Sequence, residues 1–146
     1  HKEAVEYMKR SISVFKDTLG DGHSDLNMSR ANLGMFMIDA GMYDEAITQI
    51  QSSIVQIEST AGKEHPTLIF PYANLAIAYG SKQEFDDAIK SVERSIQITE
   101  AAYGKESPRL VSILVLYSNI LQGAGKLEES AKAQARASEI QKKNAN

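Results

Sequence analysis

The chain has 146 residues, 42% of them hydrophobic and 24% charged, with a net charge of −3 at pH 7. That is enough length and apolar surface for one folded core, while Lys and Arg are scattered among acids rather than gathered into the basic patch of a nucleic-acid protein. No run approaches the ~20 apolar residues of a membrane-spanning helix, and the absence of cysteine excludes disulfides, thiolate metal sites and cysteine nucleophiles.

Hydrophobic periodicity predicts seven helices. The first, at about 2–19, carries Val5, Met8, Ile12 and Phe15 and ends near Gly20; the second covers about 25–40. The third, about 43–61, sets Ala46, Ile47, Ile50, Ile54 and Ile57 at three- and four-residue steps, the stripe of an amphipathic helix. Gly62 ends it as a residue at home in the left-handed C′ conformation. Pro66 suits the first turn of the fourth helix, about 67–82, with Leu68, Tyr72, Leu75, Ala76 and Tyr79. Pro71 conflicts with that start, because inside a helix it removes a hydrogen bond and crowds the preceding turn. A late or bent start is therefore expected. The fifth and sixth helices cover about 85–103 and 109–122. The seventh, about 127–143, is the most polar, with Lys132, Gln134, Arg136, Ser138, Lys142 and Lys143, as suits a terminal cap facing water.

These helices repeat. Shifted by 42, the sequence matches itself without a gap: 1–42 falls on 43–84, which falls on 85–126, and Leu127 opens a fourth copy. Eleven of the 42 positions are identical in each comparison, where roughly two or three would arise from composition alone. The columns include Gly20, Gly62 and Gly104; Ala4, Ala46 and Ala88; Leu26, Leu68 and Leu110; Ser11, Ser53 and Ser95; and Ile12, Ile54 and Ile96. A two-helix unit cannot bury both its faces, so copies must stack. One array over 1–146 is expected, with 1–22 the second helix of a truncated repeat and 23–64, 65–106 and 107–146 as helix pairs. The opening helix then lacks its partner, which implies a fragment of a longer array, a face covered by another chain, or self-association through that helix. Ala46 and Ala88, with Gly34, Ala76 and Ser118 opposite, read as the small residues of a tight crossing. Tyr43 and Phe85 read as packing back onto the pair.

The segments "GKEHPTLIFPYANLAIAYGSKQEFDDAI" and, less faithfully, "GDGHSDLNMSRANLGMFMIDAGMYDEAI" resemble the tetratricopeptide repeat in the 42-residue form of kinesin light chains. In that family a helix ends in Gly, a His-Pro pair follows after two residues, and an Asn-Leu-Ala helix comes next. The third copy keeps Gly104, Pro108 and Gly125 but has Leu116 where Asn stands in the others. The resemblance covers the whole chain and implies an all-α fold, a right-handed α-solenoid of stacked antiparallel helix pairs. It further implies that first helices line a concave groove, at Met28, Ala31, Asn32, Met35 and Asp39, then Phe70, Ala73, Asn74, Ile77 and Ser81, then Ser112, Val115, Leu116, Asn119 and Gly123.

Asn32 and Asn74 match the family position whose amide bonds the backbone of an extended bound peptide, a task suited to one acceptor and two donors. The competing reading is that these amides tie adjacent helices together. Clamps for a C-terminal carboxylate need Lys or Arg beside the Asn; Met28, Phe70 and Ser112 stand there instead. Met28, Met35, Phe70 and Ile77 suggest pockets for apolar anchors, unless the groove is filled by a neighbouring segment or a dimer mate.

No constellation for chemistry emerges. His23 and His65 lie one repeat apart in equivalent loops, too far apart to form a ligand pair, and read as loop tethers. Asp86–Asp87 and Glu128–Glu129 open helices, where the dipole favours carboxylates. No phosphate loop or nucleophile elbow is present. The expected protein is not an enzyme, takes no cofactor or metal, and binds protein or peptide partners rather than nucleic acid or membrane; a cytoplasmic location is expected. Its function is expected to be that of an interaction scaffold binding a short peptide or partner domain, with a regulatory or oligomerisation segment of a larger signalling protein or enzyme as the alternative.

Overall fold

The computed structural model describes residues 2–19 and 24–145, and within them the side chains of Lys2, Phe15, Leu19, Ser24, Asp25, Asn27, Met28 and Ala31 lie outside the description. Among the described residues every regular element is helical: α1 (Lys2–Leu19), α2 (Ser24–Asp39), α3 (Tyr43–Ala61), α4 (Ile69–Ser81), α5 (Phe85–Tyr103), α6 (Leu110–Gly123) and α7 (Leu127–Asn144). Their ends fall close to those expected from periodicity. The expectations at Gly20 and His23 lie outside the described residues.

Pro71 is accommodated by a late start. A 3-10 turn, Pro66–Leu68, precedes α4, so Pro71 is the third residue of the helix proper, where the N–H it lacks would have no intrahelical partner. His65 caps that turn, its Nδ1 accepting from the Thr67 N–H at 3.3 Å. Ser107, one repeat later, accepts from the Arg109 N–H at 3.3 Å, so this column is an N-cap. The turns joining α2 to α3, α4 to α5 and α6 to α7 each need a left-handed residue: Gly41 at φ 74°, Gln83 at 63° and Gly125 at 77°. Gln83 fills a glycine position with a side chain, at a local conformational cost.

The helices of each pair cross at small residues. A Cβ added to Gly34 would lie 2.5 Å from the Ile50 side chain. Ala46, Ala76 and Ala88 are fully buried. Ser118 and Ser130 hold the same positions in the last pair and interlock: Ser130 Oγ donates to the Ser118 carbonyl at 2.9 Å, and Ser118 Oγ to that of Ser130 at 3.1 Å. The Leu26, Leu68 and Leu110 column is buried throughout. Phe85 packs onto the next pair, its ring filling the space that a Cβ on Gly123 would need.

Within the α4–α5 pair, Ser95 Oγ donates to the Ile69 carbonyl at 2.8 Å. Successive pairs are tied by further polar contacts. Arg94 holds the loop after α3 through the Lys63 carbonyl and Glu64, each at 2.7 Å. Arg136, 42 residues on, repeats the grip on the Lys105 carbonyl at 3.0 Å while pairing with Glu100 at 2.6 Å. The first helices approach each other closely along the stack, α2 against α4 and α4 against α6, whereas α5 and α7 meet through long side chains, Arg136 with Glu100. The stack is therefore tightest on the first-helix side.

Val5 and Ile12 of α1 are buried in the common core, and α1 packs on α2. Those two side chains are thus covered, while Tyr7 and Val14 on another side of α1 are exposed. The crossing predicts that Ala88→Leu overpacks the α4–α5 contact and costs about 1–3 kcal/mol. Urea melts check this, with Ala135→Leu on the exposed side of α7 as a control expected to change little.

Candidate functional site

Four residues of α4, Phe70, Asn74, Ile77 and Ser81, follow the spacing i, i+4, i+7, i+11 and so lie on one side of the helix. Phe70 is 69% exposed, Ser81 is exposed, and Asn74 and Ile77 are half-buried. On α2 the matching stripe shows Asn32 and Asp39 exposed and Met35 half-buried; on α6, Ser112, Asn119 and Gly123 are exposed and Val115 and Leu116 half-buried. Because α2, α4 and α6 abut, these stripes lie side by side. Ala73 is buried at 9% exposure and offers almost no surface to a ligand. The side chains of Met28 and Ala31 lie outside the described residues.

The side-chain amides of Asn32, Asn74 and Asn119 make no hydrogen bond among the described residues. Asp39 is the single charge among the stripe residues. Phe36, which sequence reasoning passed over, is also exposed on α2, although its counterparts Ala78 and Ile120 are buried. Periodicity alone could not have found it, since the position is a core one in the later repeats.

A separate cleft of about 580 Å³ opens between α5 and α7, lined by Glu93, Ile96, Gln97, Leu114, Tyr117, Glu129, Lys132, Ala133 and Arg136. Several of its polar groups are already paired: Tyr117 Oη donates to Glu93 at 2.7 Å, and Arg136 and Lys132 pair with Glu100 and Glu128 beside the cleft, each at 2.6 Å. No group of three or more His, Asp or Glu able to hold a metal occurs among the described residues, and no helix among them is long and apolar enough to cross a membrane.

The tetratricopeptide repeat pattern matches residues 24–101 and again 72–143, so the two matches run from α2 to α7. The chain belongs to the tetratricopeptide repeat family. Solved structures share its architecture. BtubC (BKLC) from P. vanneervenii aligns over 99% of the chain with a TM-score of 0.88 at 17% identity. A point-substituted form of a Podosopora anserina protein, named for a kinesin light chain with nearly identical TPR-like repeats, aligns over 99% with a TM-score of 0.83 at 22% identity. Another structure of that Podosopora anserina protein aligns over 98% with a TM-score of 0.79 at 22% identity. The tetratricopeptide array spans 58% of the BtubC chain and 68% of each Podosopora anserina chain. These likenesses show an α-solenoid of kinesin-light-chain-like repeats. No curated protein sequence matches the chain.

The tyrosines between pairs carry a pH dependence. Burial, then the neighbouring Glu93, pushes the Tyr117 phenol well above its ordinary value. Burial and Glu58, which Tyr72 Oη meets at 2.9 Å, raise Tyr72 against a smaller opposing pull from Arg94. A raised phenol favours the protonated fold, so its contribution is fully present below about pH 10 and is lost as pH climbs from there through the folded value. The thermal midpoint should therefore fall above about pH 10, and fall less steeply in Tyr117→Phe; superimposable profiles would show that Tyr117 contributes nothing to the loss.

Proposed function

We propose that this array, an interaction scaffold like its family, binds a short, extended and largely uncharged peptide segment of a partner protein across α2, α4 and α6. The observation that carries the reading is Asn74: a half-buried amide without a partner among the described residues, on the same side of α4 as the exposed ring of Phe70. A polar group held at a surface and left unpaired is disposed to bond a ligand, and an amide can both give to and accept from a peptide backbone. Neighbouring helices pack roughly 10 Å apart and an extended chain advances about 3.3 Å per residue. A bound segment would thus meet Asn32 and Asn74 about three residues apart.

Side chains between those contacts would rest on Phe70, Ile77, Val115 and Leu116. With Asp39 as the one charge on the stripes, nothing there would recognise a terminal carboxylate, and a ligand with a cation near α2 would be favoured over an acidic one. The work of the array in this reading is binding, with no catalytic step.

Uncharged peptides selected on the purified chain supply the test. Asn74→Ala should remove about 0.5–1.5 kcal/mol of binding, a several-fold to tenfold loss of affinity in calorimetry, with the thermal midpoint nearly unchanged. A large loss of stability with unaltered affinity would make the amide structural and sink the proposal.

A further inference from the structure

The cleft between α5 and α7 has a base and a rim of different character. Ile96, Leu114 and Ala133 in its lining are buried and apolar. Leu114 and Tyr117 reach it from the side of α6 opposite Ser112, Val115 and Asn119. The cleft therefore opens away from the stripe that the first helices share. Its walls come from α5 and from the complete pair α6–α7, all inside the array.

Four charged side chains stand at the rim, Glu93, Glu129, Lys132 and Arg136. The two cations are matched from beside the cleft, Lys132 by Glu128 and Arg136 by Glu100. The two carboxylates are not: among the described residues neither has a Lys or Arg within ion-pair distance. The hydrogen bond that Glu93 accepts from Tyr117 Oη at 2.7 Å brings no positive charge. After burial, Glu93 and then Glu129 push the Tyr117 phenol upward, so both carboxylates act on one hydroxyl. The residual charge of the rim is negative.

The corresponding positions one repeat earlier lack this charge. Gln51 stands for Glu93, and its Nε2 donates to Tyr79 Oη at 2.9 Å. Asp87 stands for Glu129 and pairs with Lys90 at 3.4 Å. Leu75 stands for Tyr117. The unmatched pair of carboxylates is thus particular to the α5–α7 cleft and does not follow from the repeat.

We propose that this cleft takes a lysine side chain of a partner protein, its ammonium between Glu93 and Glu129 and its alkyl stem on Ile96, Leu114 and Ala133. Lysine lays its methylene stem along apolar surface while its head stays charged, which matches an apolar base beside an acidic rim. An apolar anchor would leave both carboxylates without a counter-charge, and an acidic one would be repelled by them. The contact is secondary to the first-helix stripe and independent of Asn74.

The probe is lysine capped as its Nα-acetyl N-methylamide, titrated into the chain and followed by methyl NMR. The Ile96, Leu114 and Ala133 signals should shift along one saturable curve while Ile47, on α3, stays unmoved. Glu93→Gln and Glu129→Gln should each weaken binding about two- to fivefold, the scale of an exposed ion pair. Glu45→Gln, which removes the same charge from an exposed site on α3, should leave it unchanged, as should Asn74→Ala. Absence of saturation overturns the proposal. Equal affinity for the probe acetylated at Nε does so too, because the ammonium would then contribute nothing. So does equal weakening by Glu45→Gln, which would reduce the effect to diffuse attraction by the net charge.

Discussion

Two helices approach only as closely as the side chains at their crossing allow, and in each pair of this array that crossing is set by small residues. Gly34 lies against Ile50 with no room for a methyl group, Ala76 and Ala88 have no exposed surface, and Ser118 and Ser130 exchange hydrogen bonds across the contact. Interiors packed at crystal-like density tolerate little added volume at such points. The close crossing lets large aliphatic residues around it, such as Leu68, Val92 and Leu110, be excluded from water. It also fixes which side of each first helix faces outward, and hence which residues a partner can reach.

Much of the fold was legible because a solenoid is nearly one-dimensional: each unit contacts its neighbours, so a periodic sequence encodes a periodic structure. The 42-residue match located the helices, and Gly62 and Gly104 marked two ends, adopting φ of 95° and 88°. Contacts between units were harder to read. Arg10, Arg94 and Arg136 occupy one column that Ser52 interrupts, but the column does not reveal that Arg94 and Arg136 grip a backbone carbonyl of the preceding loop. Tyr117 and Glu93 depend on packing between helices that sequence does not specify. The stripe on α4 was legible from spacing, yet the burial of Ala73 was not, because it depends on how closely α4 lies to its neighbours.

The two ends of the described stack differ in chemistry. At α7 the exposed surface is charged, with Lys132 paired to Glu128 and Lys143 to Glu106. Such exposed pairs add little stability, but they keep the end soluble and give a neighbouring helix nothing to pack on. At α1 and α2 the outward surface holds Tyr7, Val14 and Phe36.

The central claim is that partners meet the first-helix side, and two matched positions allow it to be tested. Phe70 on that side and Val55 on the outer second-helix surface are 69% and 66% exposed, so a photoreactive residue at either meets solvent to the same degree. Crosslinking to a selected uncharged peptide should be efficient from position 70 and at background from position 55. Equal crosslinking from both, or a preference for position 55, would contradict the account.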